Sequence, residues 1–396
     1  SAKTYYNASE KALYMYNGAT TSSSHAALSA MYGNCNNLTV NGSTGADSMN
    51  LNVGRGPGDC INPVIGGLFT ISLGDGNDTL LSAKLANGDS VDMGAGDDTV
   101  YVYVNSISGT TLTKLDGGTG SDLLAFTESS GSNGQTLSLT SAGATNFENL
   151  LGGSYQETLQ GDANANWIAG DDGVDTLYGY AGDDRLAAGG WSIFNYDNDS
   201  DSSSILNDVN DTSSDNNDND VLYGGAGNDS LYGSSGDNTL DGGTGTDTIW
   251  SGTGSDTIVI RSGDGSTTLA DADVLRDFSD GNDVIGMSSV AFDDLTVAQG
   301  TGDYASHTLI SVTATGEYLL ILQNTSASNV TVVDFVLNTS TAQTLSGSSG
   351  NNTLIGGLGG DTITTGSGTD NVLGHAGNDT ITVDGSGVKT IDGGAG

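Results

Sequence analysis

The sequence runs to 396 residues with 49 acidic side chains against 9 basic ones, a formal net charge of -40. That surplus excludes nucleic acid as a partner and disfavours an anionic membrane surface, and no apolar run approaches the ~18 residues of a transmembrane span. Gly occurs 62 times and Pro twice, and the only Glu residues are Glu10, Glu128, Glu148, Glu157 and Glu317, so nearly all the acid is Asp, mostly beside Gly. Short carboxylates on tight turns are what a hard, oxygen-binding cation needs. Leu, Ile, Val and Phe make up only about a fifth of the chain, the margin at which a highly charged chain stays unfolded. Without neutralising cations, much of it is expected to be disordered.

In chain order, residues 1–41 carry no repeat; KALYMYNG reads as a strand, and residues 1–20 lack the basic start and long apolar stretch of a signal peptide. Residues 42–145 form an irregular β region with isolated nonapeptides: GSTGADSMN from Gly42, LGDGNDTLL from Leu73, MGAGDDTVY from Met93 and GGTGSDLLA from Gly117. Residues 146–265 hold two tandem runs, 152–187 and 215–259, the second reading DNNDNDVLY, GGAGNDSLY, GSSGDNTLD, GGTGTDTIW and SGTGSDTIV. An Asp-rich insertion, 188–214, separates them. There Asp197, Asp199 and Asp201 alternate and Asp208 stands twelfth from Asp197, the spacing of an EF-hand loop, with Ser202 in place of its turn glycine and Asp208 in place of its Glu. An extra calcium loop and a solvated acidic loop both remain open. Residues 266–343 alternate apolar and polar residues in HTLISV and EYLLILQ, which predicts antiparallel strands with one buried face. Residues 344–396 form a second roll, carrying the third tandem run, and end partway through a repeat at Gly393–Gly396, as expected of a longer chain.

Each nonapeptide follows G-G-x-G-x-D-x-U-x, with U large and apolar. Six residues make a glycine-permitted turn and three make a short strand whose U side chain points inward. Two nonapeptides close one coil, and coils stack at strand spacing, ~4.8 Å. A sixth-position Asp then meets its counterpart one coil on, as Asp229 meets Asp247 and Asp361 meets Asp379. At about 5–6 Å the two carboxylates repel by roughly 3 kcal/mol at an effective dielectric near 20. A Ca²⁺ between turns, taking these carboxylates and turn carbonyls, removes that repulsion and makes binding and folding one event.

These nonapeptides resemble the RTX (repeats-in-toxin) family. The resemblance implies an all-β fold of parallel β-roll segments, here interrupted by short antiparallel elements, with calcium in the turns. By position, the implied ligands are Asp47, Asp78, Asp98, Asp122, Asp175, Asp184, Asp220, Asp229, Asp247, Asp256, Asp361, Asp370 and Asp379. Glu157, Asn166, Asn238 and Asn352 stand where that Asp is expected, so weaker or empty sites are predicted there. The isolated early nonapeptides lack a partner 18 residues away, so incomplete coordination is expected at them. NFENLLGG resembles the lead-in to such rolls, and 271–337 the non-repeat strand segment that often follows one. The extracellular setting this implies makes a Cys35–Cys60 disulfide the expected state, two buried thiols being the alternative.

His25, His307 and His375 are scattered, and no H-E-x-x-H, G-x-S-x-G or P-loop occurs, so no enzyme activity is expected. Third positions run Asp75, Ala95, Thr119, Asp172, Ala226, Thr244 and Leu358, too irregular for an ice-binding array. The expected function is a secreted, calcium-binding structural protein at the cell surface: an adhesin, surface-layer or filament subunit. It would self-associate into a polymer or lattice, with surface glycans as candidate ligands. The alternative is the non-catalytic portion of a secreted RTX enzyme or toxin.

Overall fold

A computed structural model describes residues 3–7, 12–16, 24–27, 37–42, 45, 47–50, 68–83, 85, 88–103, 114–127, 134–190 and 218–396. Cys35, Cys60, Asp197, Asp199, Asp201 and Asp208 lie outside them. The described chain is strand and turn throughout, with short 3-10 segments and no α-helix. It divides into two units, 1–180 with 189–195, and 181–188 with 196–396.

In the first unit, chain segments alternate between sheets of parallel strands. One sheet runs Ala12–Tyr16, Asn37–Asn41, Leu68–Asp75, Ser90–Ala95, Lys114–Thr119 and Ala144–Thr145. The facing set runs Ser24–Ala27, Asp47–Asn50, Thr79–Ala83, Thr99–Tyr103, Leu123–Thr127, Asn149–Leu151 and Trp167–Ala169. The lone antiparallel neighbour described in this unit is Lys3–Asn7 against Ala12–Tyr16. The isolated nonapeptides are therefore part of a regular stack. Their coils are longer than 18 residues, and the strands still pair in parallel, with one register shift between Leu80 and Ala83 where Thr79–Ala83 meets Thr99–Tyr103.

In the second unit, Arg185–Ala187, Ser230–Tyr232, Thr248–Trp250, Asp273–Leu275 and Tyr318–Leu322 pair in parallel. On the other side of the coil run Val221–Ala226, Thr239–Thr244, Thr257–Arg261, Val284–Ser288 and Phe335–Leu337. Eighth-position side chains fill the space between, and Leu186, Leu222, Leu231, Leu240, Ile249 and Ile258 are at most 1% exposed. Apolar positions must recur every nine residues because each coil presents one inward side chain per strand.

Both pairing senses occur over 266–343. Leu295–Gln299 pairs antiparallel with Thr308–Val312, which pairs antiparallel with Tyr318–Leu322, while Asp273–Leu275, Val284–Ser288 and Phe335–Leu337 continue the parallel stack. Ala272, Leu309 and Ile321 form an apolar cluster beneath the antiparallel strands. A further pair of short parallel sheets follows: Thr344–Ser346, Thr362–Thr364, Thr380–Thr382, and Thr353–Ile355, Asp370–Leu373, Lys389–Asp392.

Candidate metal-binding turns

The turns need their glycines at positions two and four. Gly243 and Gly245 hold φ of +92° and +140°, and a methyl group on either would overlap the carbonyl of Gly225 or Gly227 one coil below. The first glycine serves the carboxylate instead: a Cβ at Gly242 would collide with the Asp247 side chain. The turn thus folds down over the sixth-position Asp and takes it out of water.

Asp78, Asp98, Asp122, Asp175, Asp184, Asp220, Asp229, Asp247, Asp256, Asp361 and Asp370 are each at most 1% exposed; Asp379 is half-buried. Asp47 opens the strand Asp47–Asn50, and its side chain lies outside the described set. In Asp98, Asp122, Asp175, Asp229, Asp247, Asp256, Asp361, Asp370 and Asp379, one carboxylate oxygen stitches coils together. Asp184 N–H donates to Asp229 Oδ1 at 2.7 Å, Asp229 N–H to Asp247 Oδ1 at 2.8 Å, and Asp247 N–H to Asp273 Oδ1 at 2.9 Å. On the opposite side Asp220 N–H donates to Asn238 Oδ1, Asn238 N–H to Asp256 Oδ1, and Asp256 N–H to Asp283 Oδ1. The final run repeats the pattern from Gln343 through Asp361 to Asp379, and from Asn352 to Asp370.

The early nonapeptides join the same ladder at longer spacing. Asp78 N–H donates to Asp98 Oδ1, Asp98 N–H to Asp122 Oδ1, and Asp122 N–H to Glu148 Oε2, across 20, 24 and 26 residues. They have no partner 18 residues away, as the sequence indicates, but each meets one at a longer spacing. Loops of unequal length had hidden the repeat.

The second carboxylate oxygen has a different fate. Oδ2 of Asp98, Asp122, Asp229, Asp247, Asp256 and Asp379 is buried with no hydrogen-bond partner. An anionic oxygen in that state is costly unless a cation meets it. Burial, aided by the charges of Asp98 and Glu148, pushes the Asp122 carboxyl up to about 7. Burial likewise raises Asp256 to about 7, with Asp283 and Asp277 adding to it, and Asp229 to about 6, with Asp183 adding to it. Burial and mutual repulsion raise Asp247 and Asp273 as well. Among the described residues no three His, Cys, Asp or Glu side chains converge on one point, so a cation here would take much of its oxygen shell from turn carbonyls. Ca²⁺, which accepts carboxylate and carbonyl oxygens in a flexible shell, fits these residues.

Asn238 shows the contrast. Its Nδ2 donates to the carbonyls of Gly233 at 2.7 Å and Gly236 at 3.2 Å. The amide covers turn carbonyls that an Asp would leave for a metal.

Several contributors were missed in the sequence. Glu148, Asp273 and Asp283 occupy the sixth position of degenerate nonapeptides whose eighth residues are Leu150, Leu275 and Ile285; Gly281, two residues before Asp283, was the available signal. A second ladder runs along fifth positions in the opposite sense, with Ser121 N–H donating to Asp97 Oδ1, Thr246 N–H to Asn228 Oδ1 and Ser255 N–H to Asp237 Oδ1. The recurrence of Asn and Asp at that position was its trace.

Stacked parallel coils with a column of buried sixth-position carboxylates define a parallel β-roll. Residues 151–190, 207–240, 227–258 and 346–381 match the family model of the RTX calcium-binding nonapeptide repeat, so the chain carries the calcium-binding repeats of the RTX family in four copies. Comparison with curated proteins gives no match. Among solved structures it is similar to a subunit of the mannuronan C5-epimerase of Azotobacter vinelandii, at 20% identity over 46% of this chain and 78% of that one, with a TM-score of 0.18. It is also similar to an extracellular lipase of Serratia marcescens, at 15% identity over 76% of this chain and 40% of that one, with a TM-score of 0.20.

Proposed function

We propose that this protein is secreted and works outside the cell as a calcium-dependent structural element, an adhesin, surface-layer or filament subunit rather than an enzyme. Calcium would sit between successive turns, held by the sixth-position carboxylates Asp98, Asp122, Asp229, Asp247, Asp256 and Asp379 and by Asp78, Asp175, Asp184, Asp220 and Asp361 with their turn carbonyls. The observation that carries this reading is the column of buried carboxylate oxygens without a hydrogen-bond partner, repeated from coil to coil in both units. An array of that kind folds only where calcium is abundant, and so ties folding to the extracellular medium. With a net charge of -40, copies repel one another, and assembly into a polymer or lattice would need calcium at subunit contacts too.

A calcium titration followed by circular dichroism and light scattering tests the proposal. A coil-to-β transition accompanied by growth in particle size supports a calcium-assembled structural subunit. Folding without growth supports a module of a larger secreted protein, and the absence of any folding response overturns calcium dependence itself.

A further inference from the structure

Lys389 occupies a place that an Asp holds elsewhere. Asp370 is directly opposite it in the strand register of the last roll, and the segment DGSGVKTID puts Lys389 at the sixth position of a nonapeptide beginning at Asp384. One extra residue after Thr382 displaces this nonapeptide from the frame of its predecessors and so conceals it.

The surroundings of its ammonium are those of a cation site. Nζ lies 2.6 Å from Asp370 Oδ2 and 2.8 Å from the Gly368 carbonyl, with the Ser386 carbonyl at 3.5 Å. The side chain is 7% exposed and that of Asp370 is 0% exposed. Asp370 Oδ1 makes the usual ladder bond, accepting from Asn352 N–H at 2.9 Å. The ammonium therefore holds the very oxygen that is left without a partner at Asp98, Asp122, Asp229, Asp247, Asp256 and Asp379. It also takes a fourth-position carbonyl, as the Asn238 amide does at Gly236.

We infer that Lys389 is a tethered cation which fills the Asp370 turn in place of a calcium ion, making this one turn of the final roll calcium-independent. The inference rests on the reading that the sixth-position carboxylates of the other turns hold calcium. A lysine is chemically suited to the role: a compact ammonium with three donors replaces a divalent ion between one carboxylate and neighbouring carbonyls. It cannot satisfy two facing carboxylates, and here it has itself replaced the second.

The test uses the full chain in two measurements. Bound calcium per chain is counted by equilibrium dialysis and elemental analysis for the wild type and Lys389→Asp at saturating calcium. The inference expects the variant to bind one ion more, because it rebuilds the carboxylate pair. An unchanged count in a folded variant overturns it while leaving calcium in the other turns intact. Calcium absent from both proteins overturns the parent reading, and this one with it. Because the variant could fail to fold, the calcium-saturated wild type is also treated with acetic anhydride, and each lysine's rate is compared with its rate in the denatured chain. Lys389 is expected to be slowed about tenfold more than Lys114, since its amine reacts only after local opening. Equal slowing of the two would show an ammonium that is not seated, and would overturn the inference.

Discussion

At the residue scale, the two oxygens of a sixth-position Asp have separate tasks. Oδ1 of Asp247 accepts the Asp229 N–H, and Oδ2 is buried without a partner. An Asn in its place keeps the first task and abandons the second, as Asn238 does while covering turn carbonyls with its amide. Asp247→Asn should therefore change stability in opposite directions: a gain in chelator, where a buried charge disappears, and a loss on the order of 3 kcal/mol in calcium, where a ligand disappears. Urea melts under both conditions measure this, and shifts of one sign in both would show that the carboxylate has no tie to a cation. Gly245→Ala should instead cost on the order of 3 kcal/mol in calcium-loaded protein, because φ of +140° and the Gly227 carbonyl leave no place for a methyl group.

At the scale of the element, what was legible in the sequence was the part that repeats at fixed spacing. Leu222, Leu231, Leu240, Ile249 and Ile258 recur every nine residues, and each is buried as the pattern requires. Spacing failed where a coil carries extra residues, since strand register depends on pairing and tolerates loops of any length. Asp184 and Asp229 are joined across 45 residues, and Asp122 and Glu148 across 26, by the same bond that others make across 18. HTLISV and EYLLILQ do form strands, but Thr308–Val312 and Tyr318–Leu322 bury consecutive residues and so both faces rather than the one expected. Nor could the pattern show that Tyr318–Leu322 is antiparallel to one neighbour and parallel to the other. Those strands also differ from the roll in what holds them. Ile310, Leu320, Ile321 and Leu322 are all buried, and hydrophobic burial needs no metal. After chelation, amides of Thr308–Leu322 should exchange more slowly than the ladder amides of Asp229, Asn238 and Asp247. Hydrogen-exchange mass spectrometry would detect this, and uniform loss of protection would mean that the two kinds of element unfold as one.

At the scale of the whole molecule, the raised carboxyls make protons and calcium competitors for the same sites. Asp122 and Asp256 titrate near about 7 and Asp229 near about 6 in the metal-free fold, against about 4 for an unfolded chain. A carboxyl raised on folding stabilises fully below its unfolded value, and that contribution is lost as pH climbs through the folded value. Metal-free protein should therefore melt at a higher temperature near pH 5 than near pH 8, each such site adding to the slope. Calcium needs the ionised form, so its affinity should rise across the same interval. Thermal melts in chelator and in millimolar calcium at both pH values separate the two effects. The expected pattern is a large calcium shift at pH 8, a small one at pH 5, and a metal-free melting temperature that falls with rising pH. If the metal-free temperature rises instead, the buried carboxylates are compensated by something other than protons or calcium. A net charge of -40 acts in the same direction, since each bound calcium also relieves repulsion across neighbouring coils. Raising monovalent salt should recover only part of the calcium effect, because screening reaches exposed charges far better than buried ones. The site-bound share is the remainder that salt cannot replace.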